Sequence, residues 1–392
     1  MRHRMFFRFC RPLVAVAALL VPLDGFAQTP ATAGLQTKAR QIYMIEAVTG
    51  TVLLAQNENE PIPPASLAKL MTMDVVFDAI AKGEMSRDTQ FPVSEYAWRT
   101  GGAPSRTATM FAALKSSIRV EDLIKGVVVQ NANDACIVLA EGMAGSDAAF
   151  GARMTKRALE LGMTQSMFVN STGLPDAANK TTVHDLVTLS KHLQETYPDF
   201  YPLYVQPEFQ WNKITQRNRN PLLGLNIGVD GLATGFAEGQ GFSIASSINR
   251  EGKRFFLAMG GLASDKERLE ESRKVLEWVL SSFENKRLFA DGDVIGEASV
   301  YGGTGASVGL VARTPIDVFV PTNNPDKLSA RISYRWPLTA PVDAGYQAGT
   351  LKIFSGERLL REVPLFTASP IGQGGLPSRA LDALTELMLF WL

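Results

Sequence analysis

The sequence has little cysteine and histidine and no surplus of either charge. Its 392 residues include two Cys and three His, and 39 basic residues balance 39 acidic ones. Nucleic-acid binding requires a clear basic surplus, so the composition excludes that class of function. Beyond the N-terminal segment the histidines are His184 and His192, eight residues apart and without zinc-ligand spacing. Metal-dependent hydrolysis is therefore not indicated, and we expect no metal or other cofactor.

Residues 1–27 form a segment of a different kind. Their apolar stretch, residues 12–23, is too short to cross a hydrocarbon core of about 30 Å. Residues 25–27 (Gly-Phe-Ala) place small side chains where a signal peptidase cleaves. The basic residues before the stretch are Arg2, Arg4, Arg8 and Arg11. We predict a cleaved secretory signal and a periplasmic protein of net charge −3, with 35 basic and 38 acidic residues. The alternative is an uncleaved N-terminal anchor.

Cleavage of the signal also removes Cys10, so Cys136 remains alone and no internal disulfide can form. Cys136 lies in the apolar run 135–140, where a single cysteine usually packs as a small hydrophobe. A nucleophilic cysteine would need a histidine partner. We therefore predict that Cys136 is a buried core residue.

Residues 28–284 alternate between strand and helix patterns. Turn residues between apolar runs predict two pairs of strands, and apolar residues spaced by three and four predict helices. The elements are a hairpin at 41–56, strands 241–248 and 254–262, and helices at 66–83, 120–143 (two), 146–161, 182–196 and 264–283. Ser264 is placed to cap the last helix. A sheet between helical blocks indicates an α/β or α+β domain.

The pattern changes near Asn285. Between residues 293 and 366, Val, Ile, Phe and Leu alternate with polar residues between Gly and Pro turns. This predicts a small all-β domain over residues 285–366. Residues 367–392 return to helical spacing and predict an amphipathic C-terminal helix.

The segment Pro63-Pro64-Ala65-Ser66-Leu67-Ala68-Lys69 contains an S-x-x-K motif. Residues three apart on a helix share a face, so the Ser66 hydroxyl and the Lys69 amine can meet. A serine needs a neighbouring base to become a nucleophile, and burial or nearby positive charge can turn a lysine into that base. Taken alone, the motif also fits a capping serine followed by a solvated lysine.

Residues 63–72, PPASLAKLMT, closely resemble the first motif of the low-molecular-mass penicillin-binding proteins, the D-alanyl-D-alanine carboxypeptidases. The resemblance continues through VEDLIKGVVVQNANDACIVLAE (120–141), NSTGLPD (170–176) and VDGLATGFAEGQGFSIASSI (229–248). It implies a serine penicillin-binding domain, with an antiparallel sheet flanked by helices, followed by the small all-β domain. It also implies removal of the terminal D-Ala from peptidoglycan pentapeptides through an acyl-enzyme on Ser66, with β-lactams as covalent inhibitors.

Two motifs depart from the family pattern. Asn131-Ala132-Asn133 stands where the family has Ser-x-Asn, and Ala233-Thr234-Gly235 stands where it has Lys-Thr-Gly. A carboxamide cannot relay a proton as the serine does, and loss of such a group typically costs ~10²–10⁴ in rate. The missing ammonium would favour a neutral Lys69 and hold substrate, a contribution on the order of 10²–10³.

Other positions match the family. Ser66, Lys69, Asn133, Thr234 and Gly235 are retained. The resemblance implies an oxyanion hole made by the backbone N–H groups of Ser66 and Phe236, where Phe236 replaces a frequent histidine. Arg254 matches an arginine that the family associates with the substrate carboxylate; the alternative is an ordinary charge at a strand end.

The retained and the altered motif positions together leave two possible functions. The first is a serine-type D-Ala-D-Ala carboxypeptidase with reduced activity. The second is a catalytically weak or inactive homologue that binds peptidoglycan, or a partner, through the retained cleft. A β-lactamase would need a base for fast deacylation, and the extra β-domain does not fit it.

The C-terminal helix resembles the family's membrane-surface anchor. Its charges are Arg379 on the same face as Asp382 and Glu386, which is not the basic face that favours anionic lipid. Residues 387–392 are nevertheless wholly apolar. We predict attachment to the outer face of the inner membrane, with packing on the β-domain as the alternative.

Overall fold

The computed structural model describes residues 35–250, 252–322, 327–376 and 379. The predicted signal segment 1–27 and nearly all of the predicted C-terminal helix lie outside these residues.

The described residues up to Ser282 form one five-stranded sheet, two two-stranded sheets and seven α-helices. In chain order the elements are β1 (Gln41–Glu46), β2 (Val52–Gln56), α1 (Ala68–Ala81), β3 (Gln90–Pro92), α2 (Glu95–Thr100), β4 (Ser117–Arg119), α3 (Val120–Gln130), α4 (Asn133–Ala144), α5 (Asp147–Glu160), α6 (Val183–Thr196), β5 (Glu208–Trp211), β6 (Ile214–Arg217), β7 (Val229–Ala237), β8 (Gly241–Arg250), β9 (Lys253–Leu262) and α7 (Asp265–Ser282). Five of the strands form an antiparallel sheet in the order β2-β1-β9-β8-β7, which leaves β7 at an edge.

Both faces of this sheet are buried. Alternate side chains of β9 point to opposite sides of the sheet, and each set packs in its own apolar cluster. Phe256 and Ala258 pack in one apolar cluster with residues of α1 and α3 to α6. Leu257 and Met259 pack in a second cluster with α7. The sheet therefore separates two helical layers, and full burial of each large apolar side chain stabilises the fold by about 1.5–3 kcal/mol.

The helices begin where the sequence supplies caps. The hydroxyl oxygens of Ser94, Ser146, Thr182 and Ser264 each accept a hydrogen bond from a backbone N–H three residues later. Such caps satisfy donors that the first helical turn leaves free. The predicted cap at Ser264 is confirmed.

Cys136 is fully buried in the helical layer, as predicted, and burial raises the pKa of its thiol to about 12.

The second part is all β. Its strands are β10 (Phe283–Phe289), β11 (Gly296–Tyr301), β12 (Ser307–Val311), β13 (Ile316–Pro321), β14 (Leu328–Tyr334), β15 (Leu338–Thr339), β16 (Gln347–Ser355) and β17 (Arg358–Thr367). Six form a sheet in the order β14-β16-β17-β12-β11-β15, and β10 pairs with β13. β10 follows α7 directly, and the ring of Phe283 stacks on that of Phe319 with centroids 5.5 Å apart. The predicted fold class, a helix-flanked antiparallel sheet with a small all-β unit, is confirmed.

Candidate active site

Ser66 and Lys69 lie side by side where a 3-10 turn, Ala65–Leu67, runs into α1. The Lys69 amine nitrogen Nζ is 3.0 Å from the Ser66 hydroxyl oxygen Oγ. Ser66 is half-buried, whereas Lys69 is only 3% exposed. The S-x-x-K motif therefore forms a contacting pair and not a cap with a solvated lysine.

The surroundings of Lys69 favour its neutral form. Burial lowers the pKa of its ammonium to about 8, with Cys136 acting in the opposite direction. Nζ also donates a hydrogen bond of 2.8 Å to the backbone carbonyl oxygen of Thr172. A neutral amine held in this way can accept the hydroxyl proton of Ser66.

The segment that carries Thr172 is shaped by Gly173. This glycine has φ of +73°, and a Cβ added to it would lie 1.7 Å from the carbonyl oxygen of Ala65. The Asn170 side-chain oxygen accepts hydrogen bonds from the Gly173 N–H at 2.7 Å and from the Thr172 hydroxyl at 3.1 Å. Part of the sequence match at 170–176 thus has a structural reason: it places the Thr172 carbonyl on Lys69.

Asn131 and Asn133 lie where α3 ends and α4 begins. Asn131 ends α3 in a left-handed conformation, φ 64°, which asparagine adopts more readily than most residues. Asn133 opens α4, and its side-chain nitrogen donates to the Thr107 hydroxyl at 2.9 Å. Its side-chain oxygen is buried and has no hydrogen-bond partner among the described residues. That oxygen is therefore an unsatisfied acceptor within the described part of the protein.

The third motif lies on β7, the edge strand, which packs against the 3-10 turn that carries Ser66. Thr234 is buried and Phe236 is 57% exposed. At Gly235 a Cβ would lie 2.6 Å from the Ser243 hydroxyl and 3.4 Å from the Ala65 Cβ. Because Gly235 has no side chain, β7 can lie close to the 3-10 turn that carries Ser66.

The predicted residues divide between two spaces. A groove of about 680 Å³ is lined by Ser66, Asn133 and Phe236, together with residues 172–177. A much smaller cavity is lined by Lys69, Asn131, Ala233 and Thr234, and its 20 Å³ leave room for about one water molecule. Both altered positions, Asn131 and Ala233, therefore border the lysine and not the open groove.

The structure does not bring Arg254 to these spaces. Its guanidinium forms two hydrogen bonds to the Asp230 carboxylate, of 3.1 and 2.7 Å, and one of 2.7 Å to Ser247. Asp230 lies on β7, five residues before Gly235, and Arg254 lines neither the groove nor the cavity.

A different arginine contacts the third motif. Arg268, in the first turns of α7, donates to the Gly235 carbonyl oxygen at 3.4 Å and lies over the Phe242 ring. It is 6% exposed, its guanidinium pairs with the Asp265 carboxylate, and its buried Nε atom has no partner among the described residues. Burial lowers its pKa, and Asp265 acts in the opposite direction. Sequence reasoning missed it, although the helical phase could have revealed it. The buried residues of α7 that share its face are Glu271, Ser272, Val275, Leu276 and Val279.

A buried lysine beside a serine, at the edge of an antiparallel sheet with helices on both faces, defines the class of serine penicillin-binding proteins. Within this class the chain belongs to the D-alanyl-D-alanine carboxypeptidase family, whose pattern matches residues 26–261. Residues 283–373 match the family described as Penicillin-binding protein 5, C-terminal domain. The resemblance drawn from the motifs is confirmed.

Individual relatives agree over most of the chain. The D-alanyl-D-alanine carboxypeptidase DacC of Escherichia coli is 32% identical over 361 residues, which cover 91% of this chain and 90% of the relative. The crystal structure of penicillin binding protein 5 from Haemophilus influenzae has a TM-score of 0.77 at 29% identity, covering 86% of this chain and 99% of that one. An ampicillin-bound structure of Penicillin-Binding Protein D2 from Listeria monocytogenes has a TM-score of 0.54 at 28% identity, covering 62% and 97%.

Within the described part of the chain, no helix combines the length and apolar character that a bilayer span requires.

Proposed function

We propose that this chain is a serine-type D-Ala-D-Ala carboxypeptidase that acts on peptidoglycan stem peptides at a reduced rate. The observation that carries the proposal is the 3.0 Å contact between Ser66 Oγ and Lys69 Nζ, with the lysine pKa lowered by burial to about 8. Family membership supports the reaction class.

Acylation uses these two residues first. Lys69 takes the hydroxyl proton of Ser66 while Oγ attacks the carbonyl carbon of the penultimate D-Ala. The negative charge on the carbonyl oxygen is stabilised by the backbone N–H groups of Ser66 and Phe236. The C–N bond then breaks, the amine of the terminal D-Ala takes the proton from Lys69, and the acyl-enzyme remains on Ser66.

Deacylation reverses the roles. Lys69 takes a proton from water, the hydroxide attacks the ester carbon, and the Ser66 oxygen leaves with the proton that Lys69 returns. Asn131 offers no hydroxyl for either transfer, so Lys69 must perform both directly. We expect a rate ~10²–10⁴ below that of an otherwise equal site with the relay serine.

The substrate carboxylate needs a cation near β7. Arg268 is our candidate, because it contacts the Gly235 carbonyl oxygen at the end of β7 that carries the third motif, although its guanidinium also pairs with Asp265 and it lines neither the groove nor the cavity. Arg254 is engaged by Asp230 at the other end of the strand. β-Lactams, one of which is bound in the Listeria relative, are proposed as covalent ligands of Ser66.

Export to the periplasm is also part of the proposal. It rests on the basic and apolar pattern of residues 1–27. Attachment to the outer face of the inner membrane rests only on the apolar residues 387–392 of the predicted C-terminal helix.

A second candidate function is a weak or inactive homologue that binds peptidoglycan through the groove. The observation that favours it is that neither altered residue, Asn131 or Ala233, can carry a proton beside Lys69.

One experiment separates the two functions. The purified protein without residues 1–27 is incubated with a fluorescent penicillin, and the covalent adduct is measured by intact mass, with Ser66→Ala as control. An adduct that is absent from the control, followed by D-Ala release from a D-Ala-D-Ala peptide, supports the enzyme. No adduct after hours on a protein shown to be folded rejects it in favour of the binding protein.

A further inference from the structure

The small cavity behind Lys69 marks the place where the third motif lacks its side chain. Six residues that border it carry the argument: Lys69, Asn131, Tyr204, Arg219, Ala233 and Thr234. None of its described lining residues is acidic, and Lys69 and Arg219 are its two cationic ones. Arg219 thus borders the same space as the residue that has lost a positive charge.

Arg219 is fixed in place by the backbone around it. Its N–H donates to the Val129 carbonyl oxygen at 3.1 Å, and its Nε donates to the Gln130 side-chain oxygen at 3.2 Å. Next to it, the Asn220 side chain donates to the Gly231 carbonyl oxygen on β7 at 3.0 Å. The arginine therefore joins the end of α3, where Asn131 lies, to the strand that carries Ala233.

The charge of Arg219 is not neutralised by an ion pair. Among the described residues, no carboxylate oxygen lies within 4.0 Å of its guanidinium. The residue is exposed, so solvent screens part of its field. A positive potential still reaches the cavity, because its apolar walls include Leu70, Val127 and Leu232.

We propose that Arg219 supplies, next to Lys69, the positive charge that Ala233 lacks, and so acts as a positioning residue for the lysine base. This rests on the proposed function for its role in catalysis. The other groups around Lys69 do not compete with this charge. Ser66 and the Thr172 carbonyl are neutral, and burial raises the pKa of both Cys136 and Tyr204, so they are neutral at pH 7 as well.

The test measures Lys69 itself. Lysine is labelled with ¹³C, the Lys69 signal is assigned by its loss in Lys69→Arg, and its pKa is followed by NMR in the wild type and in Arg219→Gln. Removal of the charge is expected to raise the Lys69 pKa by about 0.5 to 1. Arg219→Lys retains the charge and is expected to restore the wild-type value. Arg217→Gln, on exposed β6 and outside the cavity lining, is the matched control.

A double-mutant cycle supplies the second readout. At pH 7, Arg219→Gln is expected to slow penicillin acylation roughly three- to tenfold, because the neutral fraction of Lys69 falls in that proportion. In the Ala233→Lys background the same change is expected to cost less than about twofold, because the charge is already present.

The outcomes separate this inference from the proposed function. An unchanged Lys69 pKa in Arg219→Gln overturns the role of Arg219, even where the penicillin adduct forms. An equal loss in both backgrounds of the cycle also overturns it. A raised pKa in a protein that forms no adduct leaves the electrostatic role standing and rejects the enzyme.

Discussion

The backbone carbonyl oxygen of Thr172 lies 2.8 Å from the amine nitrogen of Lys69, although the two residues are 103 positions apart in the chain. The Thr172 carbonyl oxygen can accept a hydrogen bond from Lys69 whether its amine is neutral or protonated. This contact therefore orients the amine without fixing its charge. The orientation leaves one direction of Nζ for Ser66, and the burial of the amine sets its pKa.

The rate of penicillin acylation is expected to rise with pH through about 8. Lys69 acts as a base only when neutral, and its pKa is lowered from the ordinary 10.5 to about 8. At pH 7 about a tenth of the molecules then hold the neutral amine. The measurement is the second-order acylation constant between pH 6 and 9.5. A profile that is flat or falls with pH would exclude Lys69 as the base.

Lys69 also makes folding stability depend on pH. Between pH 8 and 10.5 the unfolded chain binds more protons at this residue than the folded chain, so stability rises with pH in that window. Relative to that of Lys69→Met, the free energy of unfolding of the wild type is expected to rise by on the order of 3 kcal/mol between pH 8 and pH 10.5. Urea unfolding of both proteins across the window measures the difference. A constant difference would show that the lysine pKa is the same in both states.

Gly173→Ala is expected to abolish detectable acylation and to lower the melting temperature. The added Cβ would meet the Ala65 carbonyl oxygen at 1.7 Å and would disturb both Ser66 and Thr172. Gly162→Ala is the matched control, because Gly162 has φ of +80° but no heavy atom within 4 Å of the added Cβ. The control keeps only the left-handed strain, about 1–2 kcal/mol, and is expected to acylate normally. Equal behaviour of the two variants would refute the argument.

Restoring both altered motifs is expected to speed the reaction. Asn131→Ser with Ala233→Lys returns the hydroxyl relay and the ammonium to the cavity beside Lys69. We expect kcat/KM for D-Ala release to rise by at least ~10², since each group typically contributes that much. Ser66→Ala in the same background is the control for contaminating activity. No gain would mean that this chain moves the proton by a route that needs neither group.

Substitution of Arg268 and substitution of Arg254 are expected to have different effects, the first on substrate binding and the second on stability. Arg268→Gln should raise KM for a D-Ala-D-Ala peptide while leaving the hydrolysis of its C-terminal amide unchanged, because the amide has no carboxylate to bind. Arg254→Gln should leave KM unchanged and destabilise the fold by about 3 kcal/mol, because Asp230 loses its partner. Steady-state kinetics and thermal unfolding of both variants decide between them. A KM effect confined to Arg254→Gln would restore the assignment made from the sequence.

The helices and central strands could be predicted because their signals are local. Ser264 caps α7 from three residues away, and the apolar spacing of α1 and α3 follows the helical period. The edge strand β7 was not predicted, because its sequence VDGLATGFA is rich in glycine and alanine and lacks a strand pattern. Its strand conformation is held by antiparallel pairing with β8, the next strand in the chain, across the turn at residues 238–240.

The site was predictable only where motifs are contiguous. Ser66 and Lys69 are three residues apart, and geometry alone makes them neighbours. Arg219 borders the cavity and Arg268 contacts Gly235 only because the chain folds around β7. The helical phase of α7 marks Arg268 as buried, but no local pattern places either arginine near Ser66. Arg254 was assigned to the substrate carboxylate from the family resemblance, but its ion pair with Asp230 depends on the register between strands.

The junction at Phe283 joins the two units by apolar packing as well as by the chain. With no residue between α7 and β10, a bend there would have to pull Phe319 out of the apolar cluster it shares with Phe255 and Phe283. Exposing one such ring costs roughly 1.5–3 kcal/mol, several times the thermal energy. Separating the all-β unit from the helical unit therefore costs free energy beyond that of bending the chain.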